Sequence, residues 1–171
     1  MPKQTYPINT RNDIVGQIYG LFQTSKVIDS WQLEVNVDAN DKLQYGAPVL
    51  RSGERTCKNF KGVVADQAVE GIAIRQVHRE NDNRPAKGNG IYDNESSYVV
   101  GTSVAVLRYG AVNVQVAEAV VYGSPAFYDP VGETYQATAT TPTAYQLTNC
   151  IYDSSGAAGE VVQLRIVTIE G

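Results

Sequence analysis

The chain has 171 residues, 43% of them hydrophobic and 19% charged, with a net charge of −4 and a pI near 5.0. That length fits one domain, or two small ones sharing a core. The acidic balance argues against a duplex-DNA binder and against docking on an anionic membrane, since both present basic faces.

The charge is unevenly placed. Residues 1–100 carry 12 basic and 12 acidic side chains, whereas residues 101–171 carry 2 basic ones (Arg108 and Arg165) and 6 acidic ones. The whole deficit therefore lies in the C-terminal part. Eleven tyrosines stand against three phenylalanines. A tyrosine has an apolar ring and a polar tip, so this bias suits surfaces that become partly buried against a partner. No run of about 18 apolar residues is present, so no spanning helix is expected.

Residues 1–28 hold Pro2, Pro7, Gly16 and Gly20 and show little sustained pattern. Ile14, Ile18, Leu21 and Phe22 fall at helical spacing behind Asp13, a possible N-cap, but the two glycines each cost about 1 kcal/mol relative to alanine in a helix. The expectation is an arm, extended or with one or two helical turns, carrying apolar anchors. The opening MPKQTYPINTRND lacks the apolar core of a signal peptide. Synthesis in a reducing cytoplasm is expected, with Cys57 and Cys150 as free, buried thiols.

From Trp31 the period becomes two. In WQLEVNVD, Trp31, Leu33, Val35 and Val37 alternate with polar residues, which predicts a half-buried strand. Further β-like runs are 47–51, 61–64, 69–77, 98–108, 111–117, 119–122, 126–128, 134–139 and 160–169, rich in Val, Ile, Thr and Tyr and separated by Gly, Pro, Asn or Asp. Many short strands at close spacing predict an all-β chain folded as a small barrel or sandwich.

A phrase recurs. YGAPVLR at 45–51 and YGSPAFY at 122–128 share Tyr-Gly-small-Pro followed by apolar residues. Gly46 and Gly123 can take φ > 0, and Pro48 and Pro125 fix φ near −65°, so each phrase predicts a tight turn feeding a strand. SVAVLR at 103–108 and EVVQLR at 160–165 form a second echo. Together they predict an internal duplication: an arm over 1–28, a first β unit over 29–121 with an inserted polar loop at 78–100, and a second β unit over 122–171.

Chemistry is sparse. His78 is the only histidine and has no second His or Cys pair at ligand spacing, so no metal site is expected. Cys57 has Arg55 and Lys58 nearby but no obvious base. GNGIYD at 88–93 lacks the strand and helix that make a phosphate loop, and DANDKLQYG fails as a calcium loop at Lys42 and Gln44. The aspartates Asp38, Asp41, Asp82, Asp93 and Asp129 sit where turn-forming aspartates belong. No enzyme activity and no cofactor are expected.

The order of these segments resembles the structural cement, or decoration, proteins of tailed-phage capsids. The resemblance runs from Tyr6 and Gly16-Gln17-Ile18, through Gly46, Pro48 and Val49, then Gly71-Ile72-Ala73 and Arg75. It continues through YVVGTSVAVLRYGAVNVQV from Tyr98 to Val116, then YGSPAFY and a terminal β run. It implies a β-rich protein on the outside of the virion shell, made in the host cytoplasm. It implies that the protein binds the major capsid protein at junctions between subunits, forms a homo-oligomer (a trimer rather than a dimer), and stabilises the shell against internal DNA pressure. No nucleic-acid or membrane partner is implied. The interface residues expected are Tyr6, Ile14, Val15, Gly16, Gln17, Ile18, Tyr19, Leu21 and Phe22, with folding of these side chains back onto their own β core as the alternative. A different class of reading is a β-sandwich module of a tail or fibre that binds a surface glycan, for which Tyr92, Tyr98 and Tyr109 are the candidate stacking residues.

Overall fold

Eleven strands and no helix form among the residues that the computed structural model describes, which are 15–18, 27–35, 42–75, 97–139 and 142–167. They are β1 (Val27–Leu33), β2 (Lys42–Gln44), β3 (Pro48–Arg51), β4 (Thr56–Asn59), β5 (Gly71–Ala73), β6 (Ser97–Val99), β7 (Ser103–Gln115), β8 (Pro125–Asp129), β9 (Thr134–Gln136), β10 (Tyr145–Tyr152) and β11 (Val161–Ile166).

The 13-residue strand β7 organises everything else. Its first half takes β1 along one edge (Trp31↔Val104) and β5 along the other (Ile72↔Leu107). β1 runs parallel to β4, β4 pairs with β3, and β3 pairs with β5, which closes a five-stranded ring. The second half of β7 takes β11 (Val162↔Val114), which leads through β10 and β8 to β9. β9 returns to β7 by the parallel bridge Val116↔Tyr135, where the Ala117 N–H donates to the Tyr135 carbonyl at 2.8 Å. That closes a second ring. Gly110, buried at φ 127°, stands where β7 passes from one ring to the other, in a conformation open to glycine and costly for other residues.

The two rings are wired alike. In chain order the first uses β1, β3, β4, β5 and the front of β7, and the second uses the back of β7, β8, β9, β10 and β11. In each, the first strand lies parallel to the third and antiparallel to the fifth. The second pairs with the third and fourth, and the fourth pairs with the fifth. The short ribbon of β2 and β6 stands outside this scheme. Closure removes the bare strand edges that invite other chains to pair.

The all-β fold expected from the strand signals is what forms, and of the two architectures expected, barrel or sandwich, it is the barrel. Individual elements differ. The strand expected from Trp31 to Asp38 begins earlier, at Val27, and ends at Leu33, with Val35 exposed. The runs 98–108 and 111–117 largely merge into β7, and the run 61–64 is a loop. β10, at the end of a Thr-rich stretch, is a full eight-residue strand. Its buried face includes Asn149, a polar residue that breaks the apolar alternation.

One contiguous apolar core runs through both rings, from Trp31, Val49, Ile72 and Leu107 to Val114, Leu147, Tyr152 and Leu164. Each such side chain contributes about 1.5–3 kcal/mol by leaving water. Arg108 lies over Trp31 of the first ring. Its guanidinium carbon sits 5.8 Å from the Trp31 ring, and its nitrogens reach Glu70 at 2.6 Å and Asp29 at 3.1 Å. Arg165, the matching residue of the second echo, pairs with Asp153 at 2.7 Å.

Cys57 and Cys150 are free and buried. Burial, with Glu34 adding to it, pushes the Cys57 thiol up to about 12 from 9.0. Burial also pushes Cys150, Tyr128, Tyr135 and Tyr152 upward. A folded-state pKa above the unfolded value means that the native state holds its proton longer. The stabilisation is then complete below about pH 9 and is lost as pH rises toward the folded values. The melting temperature is therefore expected to hold steady up to about pH 8.5 and to fall continuously above pH 9. Both thiols should resist a thiol reagent at pH 8 until the protein unfolds. A flat melting temperature to pH 11, or labelling of the native protein, would contradict this burial.

Candidate functional site

Of the nine interface residues expected in the arm, Tyr6, Ile14, Tyr19, Leu21 and Phe22 lie outside the described residues. The other four sit in the seam between the two rings. Gly16 has φ 75°, so the segment is not helical there. Its N–H donates to the Asn113 carbonyl of β7 at 2.8 Å, and its carbonyl accepts from the Arg75 N–H at 2.9 Å. The Asn113 N–H donates in turn to the Gln17 carbonyl at 2.9 Å, and Ile18 bridges Val112. A Cβ on Gly16 would stand 2.8 Å from Tyr45 Cβ, so only glycine lets the backbone approach this closely. Gln17 is exposed and Ile18 packs against the core. These four residues thus make their described contacts within their own chain.

The same seam holds the first copy of the recurring phrase. Gly46 takes φ 83° and Gly123 takes φ 79°, and Pro48 and Pro125 open β3 and β8. The hydrogen bonds repeat. The Ala47 N–H donates to the Gln44 carbonyl and the Ser124 N–H to the Val121 carbonyl, both at 3.1 Å. The Gly46 N–H donates to Ala73 at 2.7 Å, and the Gly123 N–H donates to Tyr152 at 2.8 Å. The Ala73 N–H returns to Ala47 at 2.9 Å, and the Tyr152 N–H returns to Ser124 at 3.0 Å. Each phrase makes the turn that its Gly and Pro require.

Around the first turn the rings are locked together. The Tyr135 hydroxyl of β9 donates to the Gly46 carbonyl at 2.6 Å, and Lys61 meets Glu133 at 3.5 Å. A cleft of about 350 Å³ remains beside it, lined among others by Val15, Tyr45, Gln115, Tyr128 and Tyr135. Its three tyrosines are buried core members. Among the described lining residues there is no Ser, Thr, Cys, Lys or His.

The other candidates disperse. His78 and Tyr92 lie outside the described residues. Tyr98 is fully buried, and its hydroxyl donates to the Ile74 carbonyl at 2.6 Å, so it cannot join Tyr109 in a surface groove. Asp129 does form a turn, accepting from the Val131 N–H at 2.9 Å and the Thr143 hydroxyl at 2.8 Å, but it is buried rather than solvated. Among the described residues no three His, Cys, Asp or Glu side chains gather where they could hold a metal ion.

The chain belongs to the phage structural cement protein family: residues 1–167 match the family described as "Structural cement protein (E217 gp24/Pam3 gp6)". This is a family of virion structural proteins associated with the capsid, not of enzymes. Among solved structures, the chain is similar to a chain of "The capsid of Myoviridae Phage XM1", with 13% identity, a TM-score of 0.61 and 91% of each chain covered. A chain of "The crystal structure of head fiber gp8.5 N base in bacteriophage phi29" follows at 11% identity and a TM-score of 0.45, covering 86% of this chain and 100% of that one. No curated protein matches.

Proposed function

We propose that this protein sits on the outer face of the capsid, binds the major capsid protein where neighbouring subunits meet, and holds those subunits together against the pressure of packaged DNA. The observation that carries this reading is the end-to-end family match on a closed β body. Within the same reading the protein acts as a homo-oligomer, a trimer rather than a dimer. A molecule that engages several shell subunits at once needs only modest individual contacts, because each further contact forms at high effective concentration. The acidic C-terminal part suits an outward position, away from DNA. We also take the body to be a duplicated β unit, a view supported by the matched wiring of the two rings and by their matching turns.

The arm divides by task. Val15–Ile18 fasten it in the seam, and Tyr6, Ile14, Tyr19, Leu21 and Phe22 bury against a neighbouring protein. Removing all of residues 1–28 would strip the seam and the start of β1 together, so it would test folding rather than binding. The informative variant lacks residues 1–13 and carries Leu21→Ser and Phe22→Ser. Binding to empty expanded capsid shells is expected for the full chain and should weaken by about tenfold or more in the variant. Equal binding would sink the arm's role. Failure of the full chain to bind shells would sink the proposed function itself.

A further inference from the structure

A surface groove of about 280 Å³ lies on the first ring, lined by Leu50 and Lys58 of the β3–β4 pair and by Lys61, Val63 and Val64 of the loop that follows β4. Leu50 and Lys58 stand opposite each other across the two strands. In a chain of net charge −4, this lining holds two lysines and no acid. Lys61 reaches Glu133 at 3.5 Å, whereas half-buried Lys58 meets no carboxylate among the described residues. Val64 is 84% exposed, more than any other large hydrophobic residue among those described. The loop is pinned to β10 of the second ring. The Gln67 N–H donates to the Gln146 carbonyl at 3.1 Å, and the Gln146 N–H donates to Asp66 Oδ1 at 2.8 Å. An occupant therefore meets a groove that is already ordered. It must also bring a carboxylate, because covering the Lys58 ammonium with apolar groups alone would strip its water without replacement. The valines and Leu50 call for small apolar side chains beside that carboxylate.

The chain presents that chemistry at the far end of β7. Residues 116–120 and 154–160 hold Glu118 and Glu160, no Lys or Arg, and the exposed alanines Ala117, Ala119, Ala157 and Ala158. The two stretches are clasped into one tip of the second ring. The Val120 N–H donates to the Gly156 carbonyl at 2.9 Å, and the Gly159 N–H donates to the Val116 carbonyl at 2.7 Å. Glu160 is exposed, and its Oε2 accepts from the Ala157 N–H at 2.7 Å, which leaves its other oxygen available. None of these residues lines the groove, so tip and groove do not meet within one molecule. We propose that the groove docks the second-ring tip of another copy of this chain, with Glu160 seated against Lys58 and the tip alanines against Leu50 and Val64. Basic groove against basic groove would repel, whereas groove against tip is complementary in charge. The two patches differ, so the contact is head-to-tail, the kind that closes rings such as a trimer. This inference rests on the homo-oligomer proposed above.

The test is sedimentation equilibrium of the free full chain, with Lys58→Met, Glu160→Gln and the double variant. Glutamine keeps an oxygen for the Ala157 N–H, and Lys58 reaches the surface, so melting temperatures should match the wild type. The wild type should associate below about 100 µM. Each single variant should weaken association by about tenfold, and the double variant by no more than either single, because the second change then removes a group whose partner is already gone. Wild-type association in both singles, or losses that simply add in the double, would overturn this contact and leave a homo-oligomer held some other way. If such singles bind empty shells more weakly instead, an acidic segment of the shell protein fills the groove and the proposal fails. A wild type that stays monomeric at about 100 µM would overturn both the contact and the homo-oligomer.

Discussion

Asn149→Ala is expected to lower stability by about 4 kcal/mol, a large share of the 5–15 kcal/mol that holds a typical domain together. Asn149 sits on β10 of the second ring, buried, and serves as a strand partner in miniature for the first. Its Oδ1 accepts from the Val69 N–H at 2.9 Å, and its Nδ2 donates to the Val69 carbonyl at 2.8 Å. Val69 is itself fully buried, just ahead of β5. Truncation would leave both backbone groups in an apolar surrounding without these partners, at about 1–3 kcal/mol apiece, and would open a small void. Asn149→Asp should fare no better, because a carboxylate keeps the acceptor and sets a second negative oxygen against the Val69 carbonyl. Thr148→Ala provides the contrast. Its side chain is exposed, and its bond to the loop runs through the backbone N–H, which donates to the Gln67 carbonyl at 3.0 Å. It should stay within about 0.5 kcal/mol of wild type. Urea denaturation of the three variants measures this. A loss below about 1 kcal/mol for Asn149→Ala would mean that water reaches Val69 and that the clamp between the rings is not a dry one.

That clamp was not legible in the sequence, and the reason is physical. Alternation of apolar and polar residues reports which face of a strand is dry, and an asparagine on the dry face reads as an interruption. β10 was missed for that reason, and β4 (Thr56–Asn59) for the same one, with buried Cys57 and Asn59 alternating with half-buried Thr56 and Lys58. Local chemistry was legible wherever a residue type has only one economical conformation. Both Tyr-Gly-small-Pro phrases turn at their glycines and start strands at their prolines. The parallel pairing of β1 with β4, and the sharing of β7 between two rings, depend on partners far apart in sequence, and nothing in their spacing displays them. The same holds for the arm. Gly16 looks like a weak point in a helix, whereas its role comes from Tyr45, Arg75 and Asn113, which only the fold brings to it. The exposure of Tyr122 was equally hidden, since its sequence surroundings are nearly those of buried Tyr45.

Gly71→Ala should cost about 3 kcal/mol or more, through steric overlap alone. Gly71 opens β5, the three-residue strand that sits between β3 and β7, and it pairs with Val49. A methyl group there would overlap the Leu107 carbonyl oxygen and stand 2.5 Å from Val106 Cγ1, both on the neighbouring strand β7. One of these obstacles is backbone in the shared strand, which β1 holds from the other edge and β11 holds further along. The closed ring therefore offers β7 no direction in which to yield, and overpacking by a single methyl reaches or exceeds the upper end of its usual range of about 1–3 kcal/mol. Gly123→Ala separates this effect from backbone strain. Gly123 has φ 79° and open space around it, so alanine there meets only the cost of the left-handed conformation, about 1–2 kcal/mol. For a chain of this size each kcal/mol lowers the melting temperature by roughly 2–4 °C. Gly71→Ala should then melt roughly 6–12 °C below wild type and Gly123→Ala roughly 2–8 °C below it. If Gly71→Ala melts no lower than Gly123→Ala, β5 can slide along β7, and the first ring is looser than its closure implies.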